Sequence, residues 1–249
     1  MGALLVLAAV TALPPALAEP GIKVSIAGST LKIRDASTGD PLNGDFDNWI
    51  DVKLKRDEGV AYVAEENGPV TVGKGCVAGA FIENTLAGNP EDLWHPNWTT
   101  YDAICPLAGV KKLDINSGAG WDIVEVILSP VPVKIVGGAD GDDLQYWSFM
   151  GDGFVVPYFA KATINGGLGD DYLVGGRGDD VITGGRGYDW IEGTCGTDRM
   201  SGGSNDDSIT GQEILWGDND CGPTVDFINC GDGFESALAD DIDIVKNCD

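Results

Sequence analysis

The chain has 249 residues, 43% of them hydrophobic, and carries 40 acidic against 15 basic side chains, a formal net charge of −25. That surplus argues against nucleic acid, whose recognition rests on Lys and Arg neutralising phosphate, and against adsorption to an anionic membrane. It is also uneven: residues 137–249 hold 23 acidic and 5 basic side chains, residues 19–136 hold 17 and 10, which a generally acidic surface does not explain.

The first residues, MGALLVLAAVTALPPALA, form a short apolar run broken by Pro-Pro and ending in Ala-Leu-Ala before Glu19. This is the pattern of a secretory signal peptide over residues 1–18, although its start lacks the usual Lys or Arg. It is too short and too broken for a transmembrane helix, and no later run is long enough to span a membrane. The chain is therefore expected to be secreted and extracellular, with no membrane insertion. Six cysteines, Cys76, Cys105, Cys195, Cys221, Cys230 and Cys248, then imply disulfides. Six allow fifteen connectivities; proximity along the chain suggests Cys76–Cys105, Cys195–Cys221 and Cys230–Cys248. A zinc site is disfavoured by the absence of C-x-x-C and by a single histidine.

Between residues 19 and 136 the pattern is short alternating stretches, at residues 31–33, 50–54, 70–72, 113–115 and 133–135. Alternation with Gly, Pro and Asp breaks predicts strands and turns, and helical periodicity is nearly absent. This region reads as an irregular β-rich N-terminal part leading directly into the glycine- and aspartate-rich half of the chain. Residues 80–102 form an insertion carrying Trp94, His95 and Trp98; such aromatics stack on sugars, anchor a partner or form a loop's own small core.

From residue 166 to residue 210 five nine-residue units run without a gap: GGLGDDYLV, GGRGDDVIT, GGRGYDWIE, GTCGTDRMS and GGSNDDSIT. Each fits G-G-x-G-x-D-x-U-x, where U is a large apolar residue, the calcium-binding nonapeptide of parallel β-rolls. The sixth position holds Asp171, Asp180, Asp189, Asp198 and Asp207, and the eighth Leu173, Ile182, Ile191, Met200 and Ile209, with Ile164 in phase ahead of them. The glycines, among them Gly167, Gly169, Gly176, Gly178, Gly185 and Gly187, permit a tight turn with positive φ. The x-U-x triplet is then a strand with U inward. Two units make an eighteen-residue coil, and stacked strands lie about 4.8 Å apart. The aspartates stack too: Asp171 with Asp189, Asp189 with Asp207, Asp180 with Asp198, the position eighteen before Asp180 being Ala162. Carboxylates about 5 Å apart repel by roughly 1 kcal/mol in water and about 3 kcal/mol near a protein surface, so such a ladder calls for a cation. Calcium takes six to eight oxygens, which paired carboxylates and turn carbonyls can supply. About three strong Ca2+ sites are expected.

Two looser copies precede the array. SGAGWDIV places Asp122 and Val124 in register; GGADGDDLQ places Asp142, a weaker metal ligand, and Leu144. The steps from Val124 to Leu144 and from Leu144 to Ile164 both read as eighteen plus two, a bulged coil. After residue 210 the repeat lapses. Residues 224–228 read as a strand, CGDGFE is a relic with Glu235 at the sixth position, and residues 211–249 read as a C-terminal cap over the last coil. The expected fold is all-β, a parallel β-roll or β-solenoid with an irregular β-rich N-terminal part (19–136), calcium-binding repeats (137–210) and a disulfide-tied C-terminal cap (211–249).

On these repeats the chain resembles the RTX family, the haemolysin-type calcium-binding repeat proteins. Its layout of Gly75-Cys76, Cys105-Pro106 and Cys230-Gly231-Asp232-Gly233 around the repeats is similar to small secreted calcium-binding proteins of actinobacteria. The resemblance implies a calcium-dependent β-roll and an extracellular location. The apparent N-terminal signal departs from the RTX proteins that leave through a C-terminal signal. No H-E-x-x-H or G-x-S-x-G of an attached protease or lipase is present.

The leading functional reading is a secreted non-enzymatic protein that binds several structural calcium ions. One rival is an adhesin or carbohydrate-binding module using Trp94 and Trp98. Another is a polysaccharide-acting enzyme using carboxylates such as Asp45, Asp47 and Asp51, by analogy with paired-carboxylate glycosidases. No further feature singles out a protein or glycan partner.

Overall fold

Nine residues suffice for one turn and one short strand, so successive nonapeptides run in opposite directions and fall in different sheets, while every second one stacks on its predecessor. The computed structural model describes residues 21–35, 47–55, 58–65, 68–79, 101–127, 129–147, 160–211, 221–233 and 236–248. Residues 1–18, Asp45, Trp94, His95, Trp98 and Glu235 lie outside them. In the N-terminal part the strands are β1 (Ile22–Ala27), β2 (Thr30–Asp35), β3 (Trp49–Lys55), β4 (Val60–Glu65), β5 (Val70–Val72), β6 (Val77–Ala78) and β7 (Ala103–Pro106). Next come β8 (Lys112–Ala119), β9 (Ile123–Ile127), β10 (Val133–Ala139), β11 (Asp143–Trp147), β12 (Ala162–Leu168), β13 (Tyr172–Val174), β14 (Val181–Arg186), β15 (Trp190–Glu192), β16 (Arg199–Ser204) and β17 (Ser208–Thr210). The tail adds β18 (Phe227–Asp232), β19 (Ser236–Leu238) and β20 (Ile244–Lys246). No helix occurs among the described residues, and none is long and apolar enough to cross a membrane.

Two ten-stranded sheets result. From β8 onward even-numbered strands build the first and odd-numbered strands the second, each paired in parallel with the strand two places on. The chain is thus a β-roll. Its core is two facing columns: Ile115, Ile135, Ile164, Ile182, Met200 and Ile228 in one, Val124, Leu144, Leu173, Ile191 and Ile209 in the other. None is more than 2% exposed, and burial of each such side chain contributes about 1.5–3 kcal/mol. The two sheets differ: β13, β15 and β17 are the bare x-U-x triplets, whereas β12, β14 and β16 run on through the two glycines next in the chain.

The N-terminal part is more regular than its sequence suggests. β2 pairs in parallel with β8, and β3 with β9, so both sheets begin well before the repeats. Antiparallel pairs β1–β2, β3–β4, β4–β7 and β6–β7 then close that end. At the other end β18, β19 and β20 continue both sheets. The tail strand begins at Phe227 rather than at residue 224. One register expectation is corrected. Val124 does pair with Leu144, but Leu144 pairs with Leu173, and Ile164 with Ile135. Leu144 and Ile164 face each other from opposite sheets because the twenty residues between them are half a coil, nine residues plus an insertion, not a whole one.

The disulfides are Cys76–Cys105, Cys195–Cys221 and Cys230–Cys248, with no free cysteine among the described residues. The last joins residues eighteen apart, a staple between neighbouring coils. The first ties the N-terminal end across the 80–102 insertion.

Candidate metal centre

An aspartate two residues before an inward U residue sits where the turn enters the strand. Its carboxylate there reaches the main chain of the coil before it. Asp189 Oδ1 accepts the Asp171 N–H at 3.0 Å, and Asp207 Oδ1 the Asp189 N–H at 3.0 Å. The same bond runs back through Asp171 to the Asp142 N–H (2.8 Å) and through Asp142 to the Asp122 N–H (3.0 Å). On the other edge Asp198 accepts from Asp180 N–H (2.8 Å), and Asp180 from Ala162 N–H (2.6 Å). The eighteen-residue pairing of the array is therefore present, including Ala162 as the residue that precedes Asp180.

This bond uses one oxygen of each carboxylate. The other, Oδ2, is buried with no hydrogen-bond donor in Asp122, Asp142, Asp171, Asp180 and Asp189. In Asp142, Asp171, Asp180 and Asp189 it turns toward the first glycine of its own repeat, whereas Asp122 has Ser117 at that position. A Cβ on Gly175 would stand 2.8 Å from Asp180 Oδ2 and 2.9 Å from the Gly193 carbonyl oxygen. The same carboxylate–carbonyl convergence occurs at Gly137 (Asp142 and Gly166), Gly184 (Asp189 and Gly202) and Gly202 (Asp207 and Cys230). At these four glycines a side chain would clash with a carboxylate oxygen of one coil and a carbonyl oxygen of the next, so glycine is what lets the two oxygens converge. The second glycine answers a different need: Gly185 has φ +130 and its Cβ would run into the Gly167 carbonyl.

Taking these carboxylates out of water disfavours their ionised form. Burial pushes the Asp180 carboxyl up to about 9, with the neighbouring Asp198 adding to it. It raises Asp142 to about 8, opposed by its bond to the Asp122 N–H. Asp122 and Asp171 rise to about 7, and Asp189 to about 6, for the same first cause. A positive ion beside Oδ2 reverses that tendency. Among the described residues no three His, Cys, Asp or Glu side chains converge on one point, so a cation here draws most of its oxygens from the main chain. Hard oxygens from carbonyls and carboxylates in a multidentate, irregular shell suit calcium better than the smaller, strictly octahedral magnesium. The donor set fits calcium.

The glycines expected at the turns are there, and they build them. Gly167, Gly169, Gly176, Gly185 and Gly187 all have positive φ. Gly178 does not; it is glycine because a Cβ would stand 2.6 Å from the Ala160 carbonyl. The glycines that meet the carboxylates, Gly137, Gly166, Gly175, Gly184 and Gly202, were not singled out from the sequence, although they open each template. Two further ladder members were missed. Asp226 Oδ1 accepts the Asp198 N–H at 2.8 Å, and Asp243 Oδ1 the Asp226 N–H at 2.9 Å. Their signal was the bare D-x-U of Asp226-Phe-Ile228 and Asp243-Ile-Val245, stripped of glycines. At the opposite end Asn48 closes the column, giving its N–H and its side-chain amide to Asp122 Oδ1 at 2.8 and 2.9 Å. An uncharged donor ends the ladder where the run of carboxylates stops.

A family model described as RTX calcium-binding nonapeptide repeat (4 copies) matches residues 162–191 and 192–213. This segment belongs to the RTX family. No curated protein and no solved structure matches the chain. The aspartate ladder extends beyond the RTX match on both sides, to Asp122 and to Asp243.

Proposed function

We propose that this chain is a secreted, non-enzymatic protein whose RTX repeats hold several calcium ions between stacked turns as structural ligands, making calcium a folding switch. The observation that carries this reading is the run of buried Oδ2 oxygens with no donor, set beside first glycines whose missing side chains let carboxylate and carbonyl oxygens of neighbouring coils converge. Such oxygens oppose folding unless a cation meets them. The residues that would hold calcium are Asp171, Asp180, Asp189, Asp198 and Asp207 with the first-glycine carbonyls of adjoining coils. They give about three strong sites, and Asp142 and Asp226 extend the set. Bound calcium would supply the charge that keeps these carboxylates ionised in the interior. Asp47, one of the carboxylates considered for catalysis, accepts the Trp121 N–H at 3.1 Å, a turn role.

Binding to the folded state alone adds about 2.7 kcal/mol per site at a hundredfold excess over Kd. Chelator should abolish the β-signal in circular dichroism, and calcium, but not equal magnesium, should restore it. An unchanged spectrum and melting temperature in chelator would sink the switch. Export is tested separately: deletion of residues 1–18 should retain the protein inside the producing cell.

A further inference from the structure

Along the outer face of the second sheet one register row runs Tyr172, Trp190, Ser208, Ser236. Two rings are succeeded by two of the smallest polar side chains, so the surface drops by a step after Trp190. Tyr188, in the turn before β15, and Asp206, in the turn before β17, flank it. Tyr188, Trp190, Asp206, Ser208 and Ser236, with Asp189 and Asp207, line a concavity of about 340 Å³, within the roughly 300–1,000 Å³ range of small-molecule sites. Tyr188 is 58% and Trp190 50% exposed, a large apolar area to leave in water. The Trp190 ring and the Tyr188 backbone are held rather than loose. The indole N–H of Trp190 donates to Glu192 at 3.1 Å, its ring centroid lies 6.3 Å from that of Tyr172, and the Tyr188 N–H is fixed by Asp170 at 2.8 Å.

We propose that this step is a binding subsite for a neutral pyranose sugar. A flat aromatic wall matches the apolar C–H face of a sugar ring. The Ser208 and Ser236 hydroxyls on the floor both donate and accept, and the Asp206 carboxylate at the rim accepts, as ring hydroxyls require. Charge selects among sugars. The acidic rim repels uronates. The ladder residues Asp189 and Asp207 beneath are 2% and 3% exposed, their Oδ1 atoms bonded within the column.

The test is titration of the full chain in saturating calcium with short neutral oligosaccharides (of glucose, galactose or mannose), glucosamine oligomers and glucuronate oligomers. Calorimetry should show saturable binding of at least one neutral oligosaccharide with Kd of about 1 mM or tighter. Saturation-transfer NMR on the wild type should place its ring protons against aromatic side chains. Trp190→Ala and Tyr188→Ala should each weaken it by about tenfold or more, while Phe227→Ala, on the other sheet, should bind as wild type. Circular dichroism in calcium checks that each variant folds; if Trp190→Ala does not, Tyr188→Ala and the wild-type NMR decide. Failure of every neutral sugar to saturate, wild-type binding by both Trp190→Ala and Tyr188→Ala, or binding confined to glucosamine or glucuronate overturns the proposal. A fold insensitive to chelator would sink the calcium switch and leave the subsite standing. A folded, calcium-loaded protein that ignores neutral sugars would sink the subsite alone.

Discussion

Each ladder aspartate of the repeats does two jobs with one carboxylate: Oδ1 ties the coil to its predecessor, and Oδ2 faces the first glycine of its own repeat. Removing an interior aspartate therefore affects both of its neighbours. Asp189 lies between Asp171 and Asp207, and Asp198 between Asp180 and Asp226, whereas Asp180 has a carboxylate on one side only, Ala162 standing on the other. Asp189→Ala and Asp198→Ala should each remove about two calcium ions and Asp180→Ala about one, with sites of roughly 0.1–1 mM affinity. Calorimetric calcium titration of the three variants checks the ranking. Equal losses from Asp189→Ala and Asp180→Ala would contradict the pairing. Spacing alone ranks Asp198 with Asp180; the contact with Asp226, twenty-eight residues away, moves it up.

At the scale of the element the unit is two nonapeptides, not one. A repeat fold bonds each coil only to its neighbours, so excising residues 175–192, one whole coil, leaves Asp198 over Ala162 and Asp207 over Asp171. That deletion should preserve the β-spectrum in calcium and bind about two fewer ions. Excising residues 175–183 alone sends every later strand to the other sheet. There the short triplets of β13, β15 and β17 meet the longer strands that continue through the glycines, and the downstream insertion falls on the wrong edge. The smaller deletion should lower the melting temperature more than the larger one. Thermal melts in calcium decide it; the reverse order would mean that the sheets are interchangeable.

For the whole molecule, proton and calcium compete for the same oxygens. The Asp122, Asp142, Asp171, Asp180 and Asp189 carboxyls are raised in the fold to between about 6 and about 9 from 3.8. A folded pKa above the unfolded one contributes stability that is fully present below about pH 4 and is lost as pH rises through the folded value. In chelator the fold should therefore persist toward about pH 5 and lose stability as pH rises, most steeply up to about pH 6, where all five carboxyls hold a proton only in the fold, and less steeply as pH passes each folded value. Calcium should flatten the profile, because an ion substitutes for the protons. Melts in chelator and in calcium across that span check both halves; stability in chelator that rises with pH would be against it.

By itself the sequence determined the β-roll, the inward column of U residues and the core of the aspartate ladder. Those features are local and strictly periodic: glycine sets the turn, alternation sets the face, and a fixed step of nine sets the stacking. The three disulfide pairings were legible for a related reason, since each joins near neighbours in the chain. What lay beyond exact periodicity was decided by tertiary structure. Asp226 and Asp243 join the ladder across insertions that break the spacing, and Leu144 and Ile164 take opposite sheets, because strand pairing is satisfied by backbone hydrogen bonds whatever the loop length between them. The role of the first glycine of each repeat, and the meeting of Tyr188 and Trp190 with serines one and two coils on, exist only once the coils are stacked. They are relations between coils, and no single nonapeptide contains them.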